Sequence, residues 1–138
     1  MRVLIADDNQ IGRRLLELFL KPYAECALAE DGEQALERYH AAQASNTPFD
    51  LLVLDVFMPR KNGFEVLQEI RGCERERGVS KDSGLKVLML TGDGDAASID
   101  QAQLLGVSYY LIKPVEEYKL LRELQRLELI DDPDDSWG

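Results

Sequence analysis

The stretch "LLVLDVFMPRKNG", residues 51–63, runs four apolar residues into a lone carboxylate, Asp55, and then turns through Met58-Pro59 towards Gly63. Leu51 to Leu54 do not alternate with polar residues, which is the pattern of a strand buried on both faces of a parallel sheet. Val3-Leu4-Ile5-Ala6 and Val87-Leu88-Met89-Leu90 have the same character, and Tyr109-Tyr110-Leu111-Ile112 gives a further strand. Cys26-Ala27-Leu28-Ala29 is weaker and shorter, which suggests an edge position.

Amphipathic segments separate these five runs. Ile11, Leu15, Leu18 and Phe19 predict the apolar face of a first helix, Ala35, Leu36 and Tyr39 that of a second, and Val66, Ile70 and Cys73 that of a third. Ile99, Ala102 and Leu105 mark a fourth, and Leu120, Leu124 and Leu127 a fifth that starts near Val115. Strand and helix thus alternate five times, which calls for right-handed crossovers and a parallel sheet covered on both faces. The fold class is α/β: a flavodoxin-like, doubly wound (βα)5 sandwich with strands ordered 2-1-3-4-5. Turn residues agree with this division at Asp31-Gly32, at Asn46 to Pro48 and in "GVSKDSG", residues 78–84; Gly106 suits a helix C-cap.

The chain has 138 residues, 45% hydrophobic and 30% charged, enough for one domain to bury a core without disulfide or metal support. Residues 1–129 read as that domain, and 130–138, with "DDPDDSWG", as an acidic, frayed tail in which Trp137 has no assigned role. No apolar stretch approaches a membrane span, and no signal segment precedes the first strand, so a soluble cytoplasmic protein is expected. The formal charge of −10 argues against direct nucleic-acid binding. Cys26 and Cys73 lie far apart and form no metal-ligand spacing; both read as buried small hydrophobes.

In an open parallel sheet the ligand site lies beyond the carboxyl ends of the strands, where strand order reverses. Strand 1 ends in Asp7-Asp8, strand 3 in Asp55, strand 4 in Thr91 and strand 5 in Lys113-Pro114. Any one of these has a bland reading as a cap, a turn residue or a solvated charge; their arrival together at one sheet edge does not. Three close carboxylates repel one another and imply a compensating cation, and an all-oxygen cluster open to water suits Mg2+. With the metal in place a carboxylate can act as nucleophile on a phosphoryl group, with Lys113 and Thr91 binding its oxygens.

The set "ADD", "LDVFMPRKNG", "LTGD" and "YYLIKP", in that order and at those strand ends, resembles the receiver domains of bacterial two-component response regulators, in particular chemotaxis-regulator-like ones, from Arg2 to about Leu129. The resemblance implies that Asp55 is the phospho-acceptor, and that Asp7 and Asp8, with Asp55 and the backbone carbonyl of Phe57, hold Mg2+. It implies that Thr91 is the switch hydroxyl, Lys113 the phosphoryl-binding lysine and Tyr110 the aromatic whose rotamer reports activation. The Lys113-Pro114 bond is expected to be cis. Pro59 and Gly63 complete the loop after the acceptor, Gly63 with a positive φ.

The implied partners are a sensor histidine kinase or histidine phosphotransfer protein and a downstream protein target that reads a surface of helix 4, strand 5 and helix 5. The oligomeric state is that of a monomer or a phosphorylation-dependent dimer. The chain would not be an enzyme on a separate substrate but a regulator that assists its own phosphorylation and dephosphorylation. Only about nine residues follow the fifth helix, and a stand-alone regulator and the receiver of a larger protein both fit. Phe57 stands beside the acceptor where polar residues also occur, so it should affect phosphoryl lifetime or donor access. Two rivals fail: a haloacid-dehalogenase-like phosphatase needs a carboxylate where Phe57 stands, and a flavin carrier would meet repulsion from "DDNQIG" after strand 1. The alternative that stays open is an unphosphorylated pseudo-receiver acting as a constitutive binding module.

Overall fold

The computed structural model describes residues 1–80, 83–92 and 96–131. Lys81 and Asp82 of the expected loop, and most of the acidic tail with Trp137, lie outside the described residues. Five strands, β1 (Arg2–Ala6), β2 (Glu25–Ala29), β3 (Leu51–Asp55), β4 (Lys86–Thr91) and β5 (Tyr109–Ile112), alternate with five helices. These are α1 (Gln10–Leu20), α2 (Gly32–Ala44), α3 (Gly63–Glu76), α4 (Ala96–Leu104) and α5 (Glu117–Arg126). All neighbouring strands are parallel and the order is β2-β1-β3-β4-β5. The expected topology and the edge position of the second strand are therefore both present.

Strand periodicity divides the core into two layers. Val3 and Ile5, Leu51 and Val53, and Leu88 and Leu90 point to one face, where Leu16 and Leu20 of α1 and Leu120 and Leu124 of α5 cover them. Leu4 and Ala6, Leu52 and Leu54, and Val87 and Met89 point to the other, under Ala35, Leu36 and Tyr39 of α2, Val66, Leu67 and Ile70 of α3 and Ala102 of α4. Each of these strand side chains is essentially inaccessible. The central strands can carry such runs only because both faces are covered.

Helix starts are fixed by caps that satisfy orphan N–H groups. Asn9 caps α1 by accepting from Gly12 N at 2.9 Å. Asp31 caps α2 by accepting from Gln34 N at 2.8 Å. Asn62 caps α3 in a reciprocal box: it accepts from Glu65 N at 2.9 Å while Glu65 Oε1 accepts from Asn62 N at 3.1 Å. At the other end of α4, Gly106 adopts φ +87 and Val107 N donates to Ala102 O at 3.1 Å, the expected glycine C-cap.

Several expectations are corrected. The buried stripe of α1 is Arg13, Leu16 and Leu20, whereas Ile11 and Leu18 are 81% and 63% exposed and Leu15 is also exposed. Phe19 of the expected face packs half-buried against the core, but the helix is apolar on two sides and periodicity alone chose a row that is otherwise outside. In α3 the inner face is Val66, Leu67, Ile70 and Glu74; Cys73 and Cys26 are half-buried rather than buried. Glu74 is tolerated inside because Arg71 Nη1 donates to it at 2.7 Å and Leu85 N at 2.6 Å. In α4 only Ala102 is buried, and α5 begins at Glu117, two residues after Val115. Core packing also continues through Ile130, one residue beyond the expected end of the domain.

Asp31, only 3% exposed, has its carboxyl held below the ordinary carboxylate range, chiefly by the Gln34 N–H it caps and also by the Arg60 guanidinium, against the cost of burial. A carboxyl lowered in the fold contributes stability above its unfolded pKa, about 3.9, and that contribution is lost as pH falls through the lower folded value. Asp31→Ala should therefore cost about 1 kcal/mol at neutral pH, and the gap should narrow below about pH 4. Urea midpoints of the two proteins at pH 7 and pH 3 check this; an unchanged gap contradicts it.

Candidate functional site

The carboxyl edge of the sheet brings the predicted residues together. Ala6 is level with Leu54 across the β1–β3 pair, so Asp7 and Asp55 leave their strands at one height. Asp7 N still donates to Ala29 O at 3.1 Å and Val56 N to Leu90 O at 3.0 Å, so both carboxylates stand on backbone held by neighbouring strands. Carboxylate oxygens of Asp7, Asp8 and Asp55 all lie within 4.8 Å of one another. Asp7 and Asp55 are buried, at 1% and 3% exposure; Asp8 faces solvent.

Lys113, just past the end of β5, reaches back over the end of β4 into this cluster. Its Nζ donates to Asp55 Oδ2 at 2.9 Å and lies 3.6 Å from Asp7 Oδ2. Its own backbone N donates to Thr91 O at 2.7 Å, which ties the lysine to the end of β4. Thr91 is buried beside it, level with Ile112 across the β4–β5 pair. The Lys113-Pro114 peptide is cis. Tyr110, on β5, is half-buried against the layer under α2, α3 and α4, and its ring stacks on Tyr109 at 5.4 Å between centroids.

The electrostatics follow from burial. Removal from water raises the Asp55 carboxyl to about 6, with the Asp7 charge adding to this and Lys113 opposing it. At Lys113 burial pulls the other way, but the Asp55 and Asp7 carboxylates outweigh it and raise the ammonium above its ordinary value. Three carboxylates face one ammonium here, so the cluster retains two formal negative charges among the described contacts.

A hard divalent cation fits this donor set. Asp7 Oδ2 is buried and accepts no hydrogen bond among the described residues, and a Cβ at Gly12 would come within 3.0 Å of it. An oxygen without a donor, beside a position where a side chain would crowd it, is the arrangement a metal ligand needs.

Sequence reasoning missed four supporting residues. The nearly buried Arg13 donates from Nη1 to Asp7 O at 2.8 Å and meets Glu30 at 3.8 Å. It fixes the peptide that carries the Asp7 carboxylate, and a charged residue on the inner stripe of α1 hid that stripe from an apolar pattern. Gly12 leaves Asp7 uncrowded. Arg60 and Gly32 shape the loop after Asp55, a role no linear pattern announces.

The predicted loop residues Phe57, Pro59 and Gly63 occupy that loop. Phe57 N approaches Asp55 Oδ1 at 3.4 Å while its ring is 65% exposed at the mouth of the site. Pro59 O accepts from Lys61 N at 2.8 Å, and Gly63 N donates to Val56 O at 2.8 Å. Gly63 does not adopt the expected positive φ; Arg60 does, at 69°. Gly63 is required instead because a Cβ there would overlap the Asp55 carbonyl oxygen. A left-handed non-glycine residue costs roughly 1–2 kcal/mol, so other contacts must hold Arg60 in place.

Beside the acidic cluster a groove of about 420 Å³ runs between α1 and the Lys113–Val115 segment, with Gly12, Leu15 and Phe19 on its α1 side. Gly92 also borders it; a Cβ there would meet nothing within 4 Å, so the groove is open without relying on that glycine.

Known proteins resemble this chain in sequence and in fold. The chain is 31% identical over 129 residues to the chemotaxis protein CheY of Pseudomonas aeruginosa, covering 92% of this chain and 95% of that protein. It is 35% identical over 124 residues to the Regulator of RpoS of Escherichia coli K12, covering 89% of this chain but 33% of that protein. Against the response regulator RR06 of Streptococcus pneumoniae the chain spans 52% of the length, so it covers only part of these longer relatives. The solved structure of the chemotaxis response regulator CheY4 of Vibrio cholerae superposes with a TM-score of 0.74 at 29% identity, covering 91% of this chain and 97% of that one. The family model of the response regulator receiver domain matches residues 3–125, and with the acidic pocket at the end of a 2-1-3-4-5 sheet this places the chain in the receiver-domain family of two-component response regulators.

Proposed function

We propose that the chain accepts a phosphoryl group on Asp55 from the phosphohistidine of a sensor histidine kinase or histidine phosphotransfer protein, and that this changes a surface read by a downstream protein. The observation that carries the reading is the convergence at Asp55. This buried carboxylate ends a central strand, pairs with Lys113 Nζ at 2.9 Å and shares a 4.8 Å cluster with Asp7 and Asp8.

Mg2+ held by the carboxylates of Asp7, Asp8 and Asp55 and the carbonyl of Phe57 would neutralise phosphoryl oxygens during transfer. An oxygen of ionised Asp55 attacks phosphorus and forms the O–P bond. The P–N bond to the donor imidazole breaks, and its electron pair returns to the ring nitrogen. Lys113 moves its ion pair from the Asp55 carboxylate to a phosphoryl oxygen, and the Thr91 hydroxyl donates to another. Water later displaces the group as inorganic phosphate and restores Asp55. The chain thus assists its own phosphorylation and dephosphorylation and converts no separate substrate.

The added group carries about −1.5 to −2 charge. Drawing Thr91 and Lys113 towards it shifts the ends of β4 and β5 and lets Tyr110 turn inward, which biases the α4–β5–α5 surface. Leu104, Tyr109, Ile112 and Tyr118, all exposed and apolar or aromatic, support a protein partner there. Ile11, Leu15 and Leu18 form an exposed stripe on α1, of which Leu15 lines the groove beside the acidic cluster, and this supports donor docking on that side. None of the described helices is long and apolar enough to cross a membrane, and a cytoplasmic setting follows from the proposed kinase partner.

Incubation with Mg2+ and acetyl phosphate should add one phosphoryl mass that is stable in acid and labile in alkali. Failure of the wild type to gain it, or its persistence in Asp55→Asn, overturns the assignment and favours a constitutive binding module. Lys113→Ala should still be phosphorylated but should lose the shift of β5 amide resonances that accompanies phosphorylation of the wild type; a full shift in the variant contradicts the coupling. Ile11→Asp with Leu18→Asp should slow transfer from a phosphorylated donor protein by at least about ten-fold, roughly 1.4 kcal/mol of docking free energy, with the acetyl phosphate rate unchanged. Equal slowing with both donors would remove the docking role from α1.

A further inference from the structure

Arg60 combines two features that seldom meet. It has φ 69°, and it is the middle residue of a three-residue turn in which Lys61 N donates to Pro59 O at 2.8 Å. Turns of this hand are rare and strained. A glycine would relieve the strain, yet the position carries an arginine whose guanidinium pairs with the buried carboxylate of Asp31.

The surrounding contacts all press the same turn into place. The Lys61 backbone lies so close to the start of α2 that a Cβ at Gly32 would overlap the Lys61 carbonyl oxygen. Lys61 Nζ donates to Glu69 of α3 at 3.1 Å. Asn62 starts the α3 capping box, and Gly63 N closes the loop onto Val56 O. The segment from Val56 to Gly63 is therefore fixed at its base by β3 and at its tip by α2, with Phe57 between the two anchors.

We propose that Arg60 is a positioning residue for the metal site: its pair with Asp31 holds the strained turn against α2 and so sets where the Phe57 carbonyl lies. This rests on the reading that Asp7, Asp8, Asp55 and the Phe57 carbonyl hold Mg2+. Backbone strain clusters where geometry has to be kept, and here the strained residue sits three positions beyond Phe57, whose carbonyl the proposed function assigns to the metal. The guanidinium is the part of Arg60 that matters for the site, and the positive φ is the cost of placing it.

The test separates the two. Arg60→Gly keeps the turn's backbone accessible but removes the guanidinium; it should fold at least as well as wild type yet bind Mg2+ about ten-fold more weakly, the low end of what losing an outer-shell partner costs. Arg60→Lys should recover most of the affinity. Asp31→Asn, which keeps the helix cap but not the charge, should weaken Mg2+ as Arg60→Gly does, and the double variant should be no worse than either single one. Mg2+ titrations followed by calorimetry give the dissociation constants. Phosphorylation by acetyl phosphate should be slow in Arg60→Gly at limiting Mg2+ and normal at saturation. Wild-type affinity in Arg60→Gly, an Arg60→Lys protein as weak as Arg60→Gly, or additive losses in the double variant each overturn the positioning role. A wild type that binds Mg2+ and is phosphorylated, with an unaffected Arg60→Gly, removes this inference alone; a wild type that binds no Mg2+ removes the metal reading and this inference with it.

Discussion

Like-charged groups held together out of water are the constraint around which this molecule is arranged. Asp7 and Asp55 cannot move apart to relieve their repulsion, because each is the next residue along a strand hydrogen-bonded to its neighbours. Both are also largely withdrawn from solvent, at 1% and 3% exposure, at the ends of strands whose side chains are buried on both faces. The free energy that keeps them there is the burial of two apolar layers, at about 25 cal/mol per Å² of apolar surface. One lysine, reaching over β4 from just past the end of β5, offsets part of the repulsion and leaves a site poised for more positive charge. Proximity of the carboxylates is thus a consequence of topology, and their chemistry a consequence of proximity.

The strands were legible because each apolar run meets a local rule: an unbroken run of this length is soluble only if both faces are covered. The site residues were legible for the same reason, since a charge that ends such a run must lie at the sheet edge. Helix α1 was not, because Ile11, Leu15 and Leu18 are as apolar as Leu16 and Leu20, and only the sheet decides which row it buries. Arg13 made the true inner row look polar although its guanidinium is satisfied by a backbone carbonyl. Nothing in a single helix distinguishes an apolar row that the fold leaves outside from one that joins the core.

The glycines make the complementary point. A glycine in a sequence can mean a positive φ or a close approach of another backbone, and the two are indistinguishable without the neighbour. Gly106 is the first kind, as its position after a helix suggests. Gly63 and Gly32 are the second: they are small because the Asp55 and Lys61 carbonyls press against them. The loop that follows the acceptor is therefore shaped by what it packs against rather than by its own turn preferences. Its one left-handed residue is an arginine, which propensity would have placed elsewhere.

Lys113 links the acidic cluster to the far edge of the sheet. Its ammonium is shared between Asp55 and Asp7, while its backbone N–H holds the carbonyl of Thr91. β5 is a four-residue edge strand paired on one side only, to β4, so it is the least constrained strand bearing a site residue. In the proposed function a charge change at Asp55 acts on Lys113, which among the described residues is ion-paired to it and directly follows that edge strand. Tyr110, three residues before Lys113 on that edge, stands half-buried between the core and the surface. In the proposed cycle a larger negative charge draws the ammonium without altering the central strands, whose burial makes them stiff. In that proposed cycle the route out runs through β5, the edge strand that pairs only with β4 among the described strands.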